Sequence, residues 1–478
     1  MVYIKPMSSN EGLVRERFLR DYVGALEKGN AAFFAGAGLS LDAGYVDWKG
    51  LLREFAVELG LNIDIEEDLP MVAQYFLDES NQQRGRLNQK LRDEFDRGAP
   101  VTAAYSALAR LPLRSVWTTN YDHGVERAFE TVGGVPDVKA CGNKASWTTS
   151  KPDGTVSVFK MHGDINEPDN LVLSKDDYDR YASRYPYILE SLKSQLSQHT
   201  FLFAGFSFTD PNLDHVLAQI RSYHGDNSRT HWVLMKREED AGRATKQRLW
   251  MRTMKRYGLE TVLLDEYDEV RSLLSEVDER LRRRHVFVGG SALTAEPFGH
   301  PRLDHFSKAV GKLIIDMGRN LVSGFGLGVG AAVLTGAAEE VYREGSDPAR
   351  RLRLFPFPQP IPGESRDSAL DEEWRQGMLR NAGLAVFLSG NRDGDDGHPE
   401  PAAGVFREFE IAVENGARPL PVGATGWVAS DLHSKVGERF EELLPGASRE
   451  KFDLLGCPEA TDDELLQALR ELIDSLSP

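Results

Sequence analysis

Four short stretches carry the residue types that could do chemistry: Gly36-Ala37-Gly38 with Ser40, Asn120-Tyr121-Asp122, His162-Gly163-Asp164 and Gly205-Phe206-Ser207. Each begins where an apolar run ends. A glycine-rich turn after a strand lets backbone N–H groups approach a diphosphate with no Cβ in the way. An imidazole titrates near ~6.5 and accepts a proton at neutral pH, which suits His162 to general-base work. Each stretch also has a plainer reading. Gly36-Ala37-Gly38 lacks the third glycine of the dinucleotide fingerprint and would serve as a tight turn after a core strand. Asn120 would cap a helix, and His162 would hydrogen-bond a turn. All four falling by coincidence at strand ends is the less economical account.

The elements that must position these residues are legible from periodicity. Apolar runs at 31–34, 114–119, 156–161, 200–204, 231–235 and 260–264 read as strands. Helical patterns at 13–28, 48–59, 211–223 and 241–257 lie before and between them. Strands alternating with helices predict a parallel sheet covered on both faces. Ligands bind such sheets at the carboxyl ends of the strands, so the four stretches are expected to share one crevice. Residues 62–98, rich in charge and amide side chains, are either a lid or a helical insertion.

Length and composition narrow the class. A chain of 478 residues exceeds one ordinary core and predicts two domains. A net charge of −17 argues against nucleic acid and against an anionic membrane surface as partners. No apolar run approaches the ~20 residues of a membrane span, and residues 1–12 lack the apolar core of a signal peptide, so a cytoplasmic location is expected. The two cysteines, Cys141 and Cys457, lie in different halves, which excludes a disulfide framework and a cysteine zinc site. No metal is expected.

GAGLS, TTNYD, KMHGD and AGFSFTD, in that order, resemble the sirtuin-like NAD-binding superfamily over residues 10–282. Asn120-x-Asp122 matches the family's Asn-x-Asp, and His162-Gly163 its catalytic His-Gly. The resemblance implies a crevice that holds NAD and breaks the bond between nicotinamide and ribose. It implies Asn120 as the residue that orients ribose and water, with His162 as the catalytic base. Gly36, Ala37, Gly38, Ser40, Gly205 and Ser207 would contact NAD, and Asp122 would either orient the ribose or cap a helix. Protein-deacylating members carry a small domain pinned by four cysteines around zinc. This chain has no such set, so water is the expected acceptor and a deacylase is the rival reading.

The second half begins near residue 284, after a helix at 268–284 that ends in Arg280, Arg282, Arg283 and Arg284. Cations suit a helix C-terminus. Short strands at 286–288, 320–323, 384–389 and 419–422 alternate with helices at 305–317, 372–381, 405–414 and 462–475. Gly289-Gly290-Ser291 follows the first strand, and the run 324–330 carries four alternate glycines that open a helix. That run is either a phosphate cradle or a surface for close helix packing. Residues 355–363 are Pro-rich and read as irregular loop, and 390–404 is polar and flexible in composition.

This half resembles the SLOG family of Rossmann-like nucleotide-binding domains. Arg375 on a helix, the strand ALAVFLS and GVFREFEIA with Glu408 follow the order of its enzymatic cousins. Their tight Pro-Gly-Gly turn is replaced here by the segment 390–404, which favours a sensor over a phosphoribohydrolase. The expected architecture is thus α/β, with two Rossmann-like domains at 1–283 and 284–478, each a mainly parallel sheet flanked by helices. A sirtuin-like half followed by a SLOG half resembles the NAD-degrading effector family of Thoeris anti-phage systems. That resemblance implies an NAD+ hydrolase activated by a cyclic ADP-ribose isomer, a TIR-domain protein as the source of the signal, and a homotetramer. Gly289, Ser291, Gly324, Phe325, Gly326, Arg375, Arg392 and Glu408 would bind the activator. For Arg392, surface ion pairing is an equal alternative. A non-catalytic nucleotide-responsive module is the remaining rival.

Overall fold

The computed structural model describes residues 9–147, 155–206, 211–224, 229–357, 368–394 and 398–476. The chain divides into two compact units, Met1–Asp278 and Glu279–Pro478. Both are α/β and both are built on a parallel sheet.

In the first unit the strands are β1 (Ala31–Ala35), β2 (Ser115–Thr118), β3 (Asp137–Ala140), β4 (Ser157–Lys160), β5 (Thr200–Ala204), β6 (His231–Lys236) and β7 (Leu259–Leu264). Their order across the sheet is β3-β4-β2-β1-β5-β6-β7, with every pairing parallel. Helices cover both faces, which is why β1 and β5 are buried at every position and read as unbroken apolar runs. Phe34, Trp117, Phe159, Phe201 and Phe203 belong to one core cluster, and the Trp117 and Phe159 rings stack at 4.3 Å. The edge strand β3 is absent from the sequence reading. It is four residues long and only its ends are buried, so it carries little apolar signal.

Residues 62–98 form a helical insertion, with helices Leu69–Glu79 and Gly85–Phe95. Its apolar face builds a small core with Tyr121, Ile165, Leu171 and Leu173, residues of the segments that follow Asn120 and His162. Arg84 seals that contact with an ion pair to Asp177 at 2.9 Å.

The second unit holds β8 (His285–Gly289), β9 (Asn320–Ser323), β10 (Leu352–Leu354), β11 (Leu384–Leu388) and, after a hairpin of β12 (Asn391–Asp393) and β13 (Pro399–Pro401), β14 (Arg418–Val422). The sheet order is β10-β9-β8-β11-β14, all parallel. This is the strand order of a nucleotide-binding doubly wound sheet, with the switch point between β8 and β11. Gly311 and Gly336 let helices His300–Asp316 and Gly330–Glu344 touch: a Cβ on either would sit 1.9 Å from a carbonyl of the other helix. In the described part of 390–404, polar and flexible in composition, β12 and β13 pair antiparallel.

Candidate active site

Register brings the first unit's polar stretches to one level. Ala35 pairs with Thr118 and with Ala204, and Thr118 pairs with Lys160. Gly36, Asn120, His162 and Gly205 therefore all emerge from the same edge of the sheet, at the carboxyl ends of four adjacent strands. β1 lies between β2 and β5, the point at which the connections change direction, and a crevice is expected there.

A buried network fixes Asn120. Thr118 Oγ1 donates to Ala35 O at 2.8 Å and accepts the Asn120 amide at 2.9 Å. The side-chain Nδ2 of Asn120 faces Gly36 O at 3.1 Å, Ser40 Oγ at 3.1 Å and Tyr105 OH at 3.2 Å. A carbonyl only accepts, so the atom turned to Gly36 O must be the nitrogen. Ser40 Oγ donates to Asp122 Oδ2 at 2.9 Å and lies 3.0 Å from Tyr105 OH, which donates to it in turn. Asp122 Oδ1 accepts the Gly124 amide at 2.7 Å, at the start of helix Gly124–Thr131. Both amide hydrogens of Asn120 are thus held inside, and Oδ1 makes no hydrogen bond among the described residues. The group Asn120 can offer a ligand is an acceptor.

Two of the expected ligand contacts also make internal hydrogen bonds. The Ser40 hydroxyl points its hydrogen at Asp122, and Asp122 accepts the first amide of the following helix while holding Ser40; both residues are buried. The glycines serve close approach between loops. A Cβ at Gly36 would lie 2.2 Å from Gly205 O, and one at Gly38 2.9 Å from Gly205 Cα. Gly36 N donates to Ala204 O and Gly38 N to Gly205 O. The Ala37 amide has no acceptor among the described residues. Ser207 lies outside the described residues.

His162 is buried at the end of β4. Its carbonyl accepts from Val172 N at 2.9 Å, and its ring meets Tyr178 edge-on with centroids 5.4 Å apart. Gly163 follows at φ +94, where a Cβ would strike Leu171 Cδ2 at 2.8 Å. The reversal after His162 therefore needs glycine.

Sequence reasoning missed Tyr105. Its phenol is fully buried and its ionisation is pushed well above the ordinary value, chiefly by burial and then by Asp122. The phenol therefore stays a neutral donor. Its helix, Ala103–Leu108, reads as core, and nothing in that pattern marks a hydroxyl aimed at a site. A separate cavity of about 740 Å³, lined by His123, Glu126, Arg127 and Asp164 among others, includes neither Asn120 nor His162. Among the described residues no group of His, Cys, Asp and Glu is placed to hold a metal.

In the second unit the predicted residues converge in part. The Arg375 guanidinium lies over the Phe357 ring at 4.8 Å, and Phe357 N donates to Gly324 O at 3.0 Å. Arg375 Nη2 would be 3.1 Å from a Cβ at Gly404, and Glu408 Oε2 2.9 Å from one at Gly289. Glu408 is half-buried as a residue, yet its carboxyl end lies inside. Burial pushes that carboxyl up to about 7, with the charge of Arg375 opposing. Phe325 is left-handed at φ +59 and 40% exposed, a strained and solvent-facing position for a large apolar ring. Gly326 and Gly328 press on the backbone of the first loop, where a Cβ would lie 2.1 Å from Gly290 O and 2.2 Å from Ala292 O. Ser291 Oγ donates to Asn391 O at 2.9 Å, which ties that loop to the hairpin. Arg392 pairs with Glu400 across the hairpin and is exposed, the ion-pair alternative.

Residues 114–262 match a family model described as SIR2-like domain, and residues 269–476 one described as Sir2- and TIR-associating SLOG family. The chain is 38% identical over 475 residues to "NAD(+) hydrolase ThsA" of Bacillus cereus (strain MSX-D12), covering 97% of this chain and 98% of that one. It is 35% identical over 466 residues to the protein of the same name from Acinetobacter baumannii (strain 532279), covering 94% and 96%. Against that of Cytobacillus dafuensis it is 34% identical over 485 residues, covering 97% of each.

Proposed function

The chain belongs to the ThsA family of NAD(+) hydrolases, and from that premise we propose that Asn120 and His162 carry the cleavage of NAD+ to nicotinamide and ADP-ribose. Nicotinamide leaves as a neutral ring from a cationic ground state. The transition state resembles an oxocarbenium ion and needs a held ribose and a placed water. Asn120 Oδ1 accepts from a ribose hydroxyl or from that water, and His162 takes the proton as water attacks. The observation that carries this reading is the captive Nδ2 of Asn120, which leaves Oδ1 as its ligand-facing atom. Tyr105→Phe removes one donor to Ser40 and one acceptor for Asn120. It is expected to lower kcat by ~2–10-fold, the size of one neutral hydrogen bond, with the fold intact. A Tyr105→Phe enzyme with unchanged kcat would take Tyr105 out of the site. The chemistry needs no Lewis acid, so EDTA is expected to leave NAD turnover unchanged. Activity lost on chelation and restored by zinc would show otherwise.

For the second unit the proposed role is that of a sensor. A cyclic ADP-ribose isomer binds at the carboxyl ends of β8, β9 and β11 and switches on the first unit. Arg375 forks onto phosphate, since its N–H pair matches phosphate oxygens. Glu408 accepts from ribose hydroxyls, as carboxylates do in doubly wound sites. Support comes from the approach of Arg375 to Gly404 and of Glu408 to Gly289 beside the switch point of the sheet. In this reading a TIR-domain protein supplies the isomer, the active form is a homotetramer in the cytoplasm, and NAD depletion serves anti-phage defence of the Thoeris kind. NAD turnover by the full chain, with and without each isomer, tests it. No response to any isomer removes the sensor role.

A further inference from the structure

Lys160 is the last residue of β4, two positions before His162, and it is completely buried. A buried ammonium costs several kcal/mol unless it is paired and hydrogen-bonded. Here Nζ reaches four oxygens: Tyr121 O at 3.1 Å, Asp122 O at 2.7 Å, Glu126 Oε1 at 3.0 Å and Asp164 Oδ2 at 2.8 Å. Two of these are backbone carbonyls directly after Asn120. The third stands on the first turn of helix Gly124–Thr131, which that loop enters. The fourth is two residues past His162. One cation therefore joins the two loops that emerge side by side from β2 and β4.

The far end of this link is itself held. Asp164 Oδ1 lies 3.1 Å from His123 Nε2 and accepts from Asn166 N at 2.9 Å. The parallel pairing of β4 with β2 and β3 asks nothing of the side chain. Loop carbonyls buried beside a strand end do need a donor. Lysine supplies three hydrogens at the one point from which both loops are reached.

We propose that Lys160 is a positioning residue of the NAD site, whose ammonium sets the Asn120 loop against the His162 turn so that both face one ribose. The proposal rests on the assignment of Asn120 and His162 made above. Removing Lys160 leaves those side chains chemically intact but lets the loops drift, and small misplacements of reacting groups are costly in rate.

The test is steady-state NAD turnover by the full chain, with kcat and KM separated and Tm measured beside them. Three variants are compared: Lys160→Met, the double variant Lys160→Met/Glu126→Met, and Asn120→Ala. Lys160→Met is expected to lose ~10–100-fold in kcat with KM changed by less than ~3-fold, and to lose Tm because Glu126 and Asp164 are left facing each other. The double variant removes one stranded carboxylate, so Tm recovers while kcat stays low. A double variant that regains both Tm and kcat overturns the proposal, as does a folded Lys160→Met with the kcat of the parent. Should Lys160→Met fail to fold, Asp164→Asn decides: Oδ1 still serves His123 and Asn166 N, while an Nδ2 in place of Oδ2 cannot accept from Lys160, so only the arm on the His162 side is cut. A kcat at least ~5-fold down supports the link, and an unchanged kcat overturns it. Normal turnover in Asn120→Ala would mean that the site assignment itself has failed, and not the link alone.

Discussion

Asn120→Ala is expected to lower NAD turnover by ~10²-fold or more, and Asn120→Asp is expected to do no better. The second expectation separates the geometry from a simple count of acceptors. If Asn120 serves the ligand only through Oδ1, a carboxylate would at first sight substitute for it. The nitrogen, however, is held by Gly36 O, Ser40 Oγ and Tyr105 OH. A carboxylate there turns an oxygen to a carbonyl that cannot donate. It also sets a negative charge beside Ser40, whose hydroxyl already serves Asp122. Like charges in a buried site are strongly disfavoured. The side chain must then rotate away, and the acceptor is lost with it. His162→Ala is expected to fall by a similar factor if the imidazole moves a proton in the rate-limiting step. The measurement is NAD consumption by purified variants whose folding is checked by circular dichroism and Tm. Parent-like turnover in a folded Asn120→Asp protein would show that the network does not orient the amide.

The strand ends were readable because burial on both faces makes each strand a continuous apolar run, and the first glycine or polar residue marks its end. That logic located Gly36, Asn120, His162 and Gly205 and their common edge. It failed where a strand is short and carries charge: β3 contains Lys139 and β10 contains Arg353. It failed again at β12 and β13, where prolines and acidic residues read as loop although the segment pairs across a hairpin. Chemical type alone also left part of the work of some residues unseen. Gly36 and Gly38 suggest a phosphate, yet their lack of Cβ is needed first by the neighbouring loop at Gly205. Tyr105 has the opposite problem, since its role lies in a contact 15 residues away in sequence and its helix shows only an apolar face. Lys160 did leave a mark, a charge at the end of an otherwise apolar strand, but its four oxygens come from segments that only folding brings together.

Arg375→Ala is expected to abolish the response of NAD turnover to the proposed activator while basal turnover stays at the parent level. A ligand switches an enzyme only by favouring the active state, typically by ~1–3 kcal/mol. A guanidinium that grips phosphate supplies that preference as charge-assisted hydrogen bonds. Glu408 adds a dependence on pH that the arginine cannot. Its carboxyl is raised to about 7 by burial, against the pull of Arg375. A raised carboxyl opposes folding once it is ionised. The cost is absent below its unfolded value, grows as pH rises through that value, and is complete above about 7. A nucleotide that donates ribose hydroxyls to Glu408 stabilises the ionised form, so binding must release a proton. Affinity is therefore expected to rise ~10-fold between pH 6 and pH 8 in the parent protein. Glu408→Gln should bind weakly at both and show no such slope. Calorimetry with cyclic ADP-ribose isomers at pH 6, 7 and 8, in buffers of different ionisation heat, reads affinity and proton release together. Equal affinity across this range, with no proton released, would leave Glu408 as a buried acid of the sheet edge. Parent-like binding and activation in Arg375→Ala would place the phosphate grip elsewhere, on residues other than the one that stacks on Phe357.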